Sequence, residues 1–333
     1  NMHSNYITVD TVNHINAELS NYCNAACPMC ARFDSDQKLV KGITNNRHTT
    51  LDDIQYKIGT DVIKNLKMFR SCGNVGDGSM NPECYDIYEF IRKINPNATL
   101  TLNTNGGARS REFFKEMAKL GVVIIFSIDG LQDTNHLYRR NVKWEKIMEN
   151  VKSFTDAGGI AIWDYLIFKH NEHQIDEAEA LSQQLGFVSF NRKTTTRWDD
   201  FDKEGNWLQR KKIAVDDYEL EKPSDDSVKK YSNKKWAKQQ SVPNKKIICG
   251  SFSNLNVEIF LHANGNVSPC CYLGDLALHE SKNIITDYDS VNIHHRSLEE
   301  ILNGNYFQEI WKGIQGKAQK YKLQTCQQVC GVC

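Results

Sequence analysis

The chain alternates short apolar runs with stretches in which apolar residues recur every three to four positions. Residues 15–19, 68–71, 99–103, 122–127, 161–168 and 188–191 read as strands. Between them, residues 51–66, 83–94, 110–120, 144–157 and 174–185 carry the helical period. Gly121, Gly158 and Gly186 each follow one of these helices, where a left-handed terminal residue costs least without a β-carbon. Strand, helix and parallel strand repeated about six times predict an α/β fold, a parallel sheet closed or part-closed as a barrel with helices outside. Ligand sites in such folds lie at the carboxyl ends of the strands.

From residue 198 to 246 the pattern gives way to charged sequence, including an acidic stretch at 216–226 and a lysine-rich run at 229–246. A solvated linker holding at most one helix is expected there. Order returns at Ile247. Residues 257–261 and 266–268 flank His262-Ala263-Asn264-Gly265 and predict a β-hairpin, and 298–311 predicts a helix. The expected organisation is a core at 1–197, a linker at 198–246 and a small hairpin-and-helix domain at 247–333.

Composition narrows the partners. Lysine plus arginine equals aspartate plus glutamate at 41 each in 333 residues, so no global electrostatic footprint of a nucleic-acid or anionic-membrane binder exists. The first ten residues lack the apolar core of a secretory signal, and no stretch approaches the roughly 20 apolar residues that span a bilayer. A cytoplasmic protein is expected. Its 11 cysteines are an odd number, unsuited to full pairing, and they are bunched: Cys23, Cys27 and Cys30; Cys249, Cys270 and Cys271; Cys326, Cys330 and Cys333; with Cys72 and Cys84 single. Such grouping suits soft metal ligation, by iron–sulfur clusters or zinc.

Cys23-Asn24-Ala25-Ala26-Cys27-Pro28-Met29-Cys30 follows the first predicted strand, hence sits at the carboxyl end of the sheet. Three thiolates at these spacings can hold a cubane and leave one of four irons open, as a reactive cluster requires; a zinc knuckle with a distant fourth ligand is the alternative. CxxxCxxC in this position resembles the radical S-adenosylmethionine (SAM) superfamily. The resemblance implies a partial (β/α)6 barrel and a [4Fe–4S] cluster on Cys23, Cys27 and Cys30. It also implies that the open iron chelates SAM, whose reductive cleavage gives methionine and a 5′-deoxyadenosyl radical. Met29 stands where that family often has an aromatic residue.

Four further strand-end segments are similar to the family's SAM contacts. Gly73, Asn74, Gly76 and Asp77 occupy the place of its glycine-rich segment, without the usual Gly-Gly-Glu wording, and Thr104-Asn105-Gly106 matches its TNG segment. Ser127 and Asp129 match S-x-D-G, and Asn171 closes the fifth strand. Arg139, with Arg140, offers a bidentate carboxylate clamp. Each segment alone also reads as ordinary loop capping.

Cys249, fifteen residues, Gly265, four residues and Cys270 resemble the opening of the SPASM and Twitch extensions of this superfamily. Cys330 and Cys333, with Cys326 in reserve, complete a four-thiolate set; the cysteine count implies one auxiliary [4Fe–4S] cluster, with tetrahedral zinc the alternative. The resemblance further implies hydrogen abstraction from a substrate and a one-electron reductant such as flavodoxin or ferredoxin. Its relatives act on peptides or on sugar-like alcohols. The first cluster cysteine arrives by residue 23, too early for a leader-recognition domain before it, so an anionic or polyhydroxylated small molecule is expected, with a peptide second. Arg197, near Arg192 and Lys193, is the expected anion anchor. Asp275 is the nearest acid to the hairpin cysteines that can act as base.

Overall fold

The computed structural model describes residues 7–33, 38–39, 46–195, 197–201, 207–209, 212–215, 218–231, 246–252, 256–274, 284–285, 287–315, 326 and 330–332. Strands β1 (His14–Ala17), β2 (Met68–Ser71), β3 (Thr99–Thr104), β4 (Val123–Ser127), β5 (Ala161–Leu166) and β6 (Ser189–Lys193) pair in parallel and in chain order. The intervening helices are α1 (Thr60–Asn65), α2 (Cys84–Ile94), α3 (Arg111–Lys119), the short α4 (Asn135–Tyr138), α5 (Trp144–Asp156) and α6 (Ile175–Gln184). This is the expected part-closed α/β barrel.

Alternation decides what each sheet face holds. Phe69, Leu100, Leu102, Ile124, Phe126, Trp163 and Tyr165 are all fully buried. They meet the helices edge to face, Phe69 on Tyr88 of α2 at 5.6 Å and Phe126 on Phe154 of α5 at 5.9 Å. Burying each such ring contributes about 2–3 kcal/mol. The intervening residues face the barrel interior; they are polar on β1–β3 (Asn16, Arg70, Thr101 and Asn103) and mixed on β4 and β5, where Ser127 and Asp164 alternate with Ile125 and Ile162.

Two helices depart from expectation. The stretch expected as one helix over 51–66 is π-wound at Asp53–Gly59 and becomes α1 only afterwards, because Gly59 at φ +93° breaks the regular backbone. The helix expected over 298–311 is two, α8 (Leu298–Asn303) and α9 (Asn305–Ile314), divided at Gly304, whose ψ of 162° is extended. Gly121, Gly158 and Gly186 do take positive φ at helix ends.

The stretch expected as a solvated linker is more ordered than its composition suggests. It contains paired strands β7 (Asp199–Phe201) with β8 (Trp207–Gln209), β9 (Lys212–Val215) with β10 (Tyr218–Glu221), and helix α7 (Asp225–Tyr231). Trp198, Val215 and Leu220 are buried. Glu172, just beyond β5, accepts from Ser224 and Ser227 and so ties α7 to the barrel rim. Apolar residues spaced two or more apart among charges carried this order, and charge runs masked it.

The C-terminal region joins the same sheet. Strands β11 (Lys246–Ile247) and β14 (Gly331–Val332) pair with each other, while β12 (Glu258–Leu261) lies parallel to β1 and β13 (Val267–Ser268) closes the hairpin. The hairpin thereby continues the barrel wall past β1.

Candidate functional site

Strand β1 delivers residues 23–30 to the carboxyl rim. Cys27 is buried; Cys23 and Cys30 are half-buried. The loop is pinned by Ala26 N–H on the Arg140 carbonyl (3.1 Å), by Arg32 Nη1 on the carbonyls of Cys23 and Ala25 (3.3 and 3.2 Å), and by Arg197 Nη1 on that of Met29 (2.8 Å). Donors also aim at sulfur. Cys23 Sγ receives Ala25 N–H at 3.3 Å and Asn105 Nδ2 at 3.6 Å, and Cys27 Sγ receives Arg139 Nη1 at 3.6 Å. Burial pushes the Cys23 thiol up to about 12 and Cys27 to about 11, the latter opposed by Arg139. Thiols that resist ionising without a cation, yet stand among donors suited to thiolate, fit a ligand set for a positively charged iron centre. Among the described residues no three Cys, His, Asp or Glu side chains converge as ligands of one ion do. A cubane needs no such convergence, since each thiolate binds a different iron.

Around this loop the expected residues form two brackets. Asp77 is buried and accepts from Ser79 N–H (3.0 Å), Ser79 Oγ (2.7 Å), Thr104 Oγ1 (2.9 Å) and Asn105 N–H (2.9 Å). Its carboxylate is thus committed to clasping the β2 and β3 ends together. Asn105 in turn donates to Asn24 Oδ1 (2.8 Å) and reaches Cys23. On the other side Asp129 is fully buried, accepting Arg139 Nε (2.6 Å) and Leu166 N–H (2.7 Å). Burial raises its carboxyl and Arg139 opposes the rise. Arg139 therefore bridges the S-x-D-G aspartate to Cys27. Asn171 spends its amide on the Asp129 and Leu166 carbonyls (2.9 Å each) and the Phe168 N–H (2.7 Å). Ser127 ends β4, half-buried, paired in register with Asp164.

Glu18 was not among the expected site residues. Just past β1, it is buried and accepts Asn74 N–H (3.0 Å), Gly76 N–H (3.1 Å) and the Cys72 thiol (3.6 Å). Burial raises its carboxyl to about 7 against these donors. The glycine loop is shaped around it: Gly73 takes φ +64°, and a β-carbon on Gly76 would lie 1.9 Å from the Ser20 carbonyl oxygen. An acid interrupting the apolar run at 15–19 was the available signal.

The cations expected to hold an anion are otherwise engaged. Arg192 pairs with Glu179, Lys193 with Asp164, and Arg197 is the clamp on Met29 already described. The β11–β14 pairing sets Cys249 beside Cys330, with Ile248 N–H on the Cys330 carbonyl (2.9 Å). Placed together, the two thiols titrate as a pair, Cys249 raised and Cys330 lowered by sharing one proton, while burial lifts Cys270 to about 12. Cys326 is buried. Cys333 and Asp275 lie outside the described residues.

Two family models match this arrangement: that of the Radical SAM superfamily over residues 17–181, and SPASM, an iron–sulfur cluster-binding domain, over 249–333. The first covers the barrel with the Cys23–Cys27–Cys30 loop, the second the hairpin and terminal cysteines. The chain belongs to the radical SAM superfamily. SAM, a [4Fe–4S] cluster and an auxiliary iron–sulfur cluster come with these two domains. Among solved structures, this radical SAM chain resembles Streptococcus suis SuiB, with TM-score 0.59, 13% identity, and coverage of 95% of this chain and 72% of that one. It also resembles anSMEcpe with bound AdoMet, with TM-score 0.58, 12% identity, and coverage of 90% and 79%. A curated relative from Pyrococcus furiosus, a "tungsten-containing aldehyde ferredoxin oxidoreductase cofactor-modifying protein", is 28% identical over 182 residues, 51% of this chain. The chain spans about half (48%) of that relative's length. Among the described residues no helix is long and apolar enough to cross a membrane.

Proposed function

We propose that this radical SAM chain cleaves SAM reductively and uses the resulting radical to take a hydrogen atom from a small anionic or polyhydroxylated substrate. The observation that carries the reading is the three-thiol loop, Cys27 buried and Cys23 and Cys30 half-buried, held at the strand ends by Asn105 just past β3 and by the Asp129–Arg139 bridge. Bound there, a [4Fe–4S] cluster with one open iron supplies SAM chelation and the electron for its cleavage. The chain's own residues do the positioning. Asn105 and Arg139 stabilise thiolate charge, Asp129 orients the guanidinium, and Glu18 with Gly73, Asn74 and Gly76 shapes the loop assigned to the methionine end of SAM. Thr104, Ser127 and Asn171 contribute rim polarity and backbone shape. Arg197 is assigned to holding the cluster loop through Met29. Cys249, Cys270 and Cys330, with Cys333 or Cys326 as fourth thiolate, are assigned to one auxiliary [4Fe–4S] cluster. Flavodoxin or ferredoxin is the proposed reductant class.

A peptide substrate is the second reading. It is favoured by the fold neighbours, since SuiB has been solved with precursor peptide SuiA and anSMEcpe with the Cp18Cys peptide. Anaerobic reconstitution with iron and sulfide, followed by assay of 5′-deoxyadenosine from SAM and dithionite, tests the reaction class. Formation of the nucleoside supports it, and its absence from cluster-loaded protein removes it.

A further inference from the structure

We propose that the inner face of β1–β3 is a binding floor for a small organic anion carrying hydroxyl or amine groups, with Arg70 as charge anchor and Asn16, Thr101 and Asn103 as polar contacts. The proposal deepens the small-molecule reading above and rests on it for the chemistry performed over this floor. Register places the groups together. Asn16 of β1 pairs with Arg70 of β2, and Arg70 pairs with Thr101 of β3; Asn103 follows two residues along β3 on the same face. This row lies one alternation below Glu18 and Cys72, the residues at the base of the glycine loop.

A parallel sheet covered on both sides is normally apolar on both, and closed barrels fill their interior with branched aliphatic side chains. These three strands break that rule side by side. Asn16 is only 4% exposed and Thr101 only 7%, yet Asn16 Oδ1, Arg70 Nε, Thr101 Oγ1 and Asn103 Oδ1 are buried atoms that meet no hydrogen-bond partner among the described residues. The Arg70 guanidinium touches the Met68 sulfur at 3.3 Å, a weak acceptor. Arg192 and Lys193 on β6 are neutralised by carboxylates; Arg70 makes no ion pair within hydrogen-bond reach among the described residues, and the Glu258 carboxyl is the acid near enough to feel its charge. Unpartnered buried polar atoms are retained where a ligand completes them. The ligand chemistry follows from the atoms: a carboxylate or phosphate for the guanidinium, and O–H or N–H donors for the two amide oxygens. Glu258, one row below in register with His14, already accepts from Ser251 and sits in the field of Arg70, so the floor pairs a cation with a nearby acid and suits a ligand whose anionic group is flanked by hydroxyl or amine donors.

The test uses the full chain, reconstituted anaerobically with SAM present, and titrates sodium D-gluconate, D-glucose and acetyl-tetraalanine amide calorimetrically into wild type, Arg70→Met and Thr101→Val. Gluconate binding that is about tenfold or more tighter than glucose, and weakened by about tenfold or more in Arg70→Met, supports the proposal. Absent gluconate binding, tighter binding of the peptide amide, or binding indifferent to Arg70→Met overturns it. Thr101→Val, nearly isosteric, gives a second readout without ligand. Relief of an unpartnered hydroxyl should raise the melting temperature by about 2 °C, and a fall would show the hydroxyl already satisfied and overturn the proposal. SAM affinity is read in the same cell: a parallel loss in Arg70→Met would assign the row to the SAM site, again overturning it. Failure of the radical SAM reading itself shows separately, as wild type that binds no SAM.

Discussion

Replacing Glu18 by glutamine probes how the glycine loop is held. The carboxylate accepts two backbone N–H groups from opposite ends of the turn, at 3.0 and 3.1 Å, as well as the Cys72 thiol. Glutamine keeps one carbonyl oxygen and turns an NH2 toward the other donors, leaving at least one buried N–H unpaired. That costs about 1–3 kcal/mol. If about 2 kcal/mol of it is spent keeping the loop in the SAM-binding shape, the SAM dissociation constant rises roughly 30-fold. Calorimetric titration of SAM into reconstituted Glu18→Gln, with iron content measured alongside, checks this. The acid's raised value of about 7, set by burial, adds a pH signature. Protonation weakens the acceptors, so wild-type SAM affinity should fall as pH drops through about 7, and the variant should be flat there. The linkage to stability runs oppositely. Between the ordinary value of 4.5 and about 7 the folded chain holds a proton the unfolded chain has lost, so this group's contribution to stability falls as pH rises through that window. Glu18→Gln removes that slope. SAM affinity within twofold of wild type, with only the melting temperature lowered, would refute the positioning role.

Other expectations follow from single contacts. Arg139→Gln removes a charged donor from Cys27 Sγ, so the reduction potential of the barrel cluster should move negative by some tens of millivolts in an EPR-monitored redox titration. Cys249→Ser with Cys330→Ser should lower iron and sulfide from about eight of each per chain to about four, measured colorimetrically, if two cubanes are bound. Trp163→Ala deletes a fully buried ring and its 2.8 Å bond to the Ile128 carbonyl beside Asp129; urea titration should show about 3–5 kcal/mol lost.

The barrel was legible because β4 is a continuous apolar run, β3 and β5 alternate or nearly so, and their helices carry a clean period. Boundaries shifted where glycine backbone intervened, at Gly59 and Gly304. The cysteine loop was legible from spacing alone. Its support was not: Arg32 acts on the Cys23 and Ala25 carbonyls, and a backbone partner leaves no trace in a sequence pattern. Asp77 shows the reverse limit. Its position marked it as a candidate ligand for the SAM ammonium, but four donors from Ser79, Thr104 and Asn105 already surround its carboxylate. The stretch after Trp198 misled because β9 and β10 bury only Val215 and Leu220 between charged neighbours, too few to register as periodicity. The inner polar row was present in the sequence as Asn16, Arg70 and Thr101, but only the strand register shows that they are neighbours.

The central claim is that residues 23–30 carry the thiolates for SAM cleavage. Its most direct test compares reconstituted wild type with a variant in which Cys23, Cys27 and Cys30 are all alanine, assaying 5′-deoxyadenosine from SAM under dithionite and recording the auxiliary cluster's absorbance. The account requires nucleoside from wild type, none from the variant, and auxiliary absorbance retained in both. Nucleoside formation by the triple variant would contradict it.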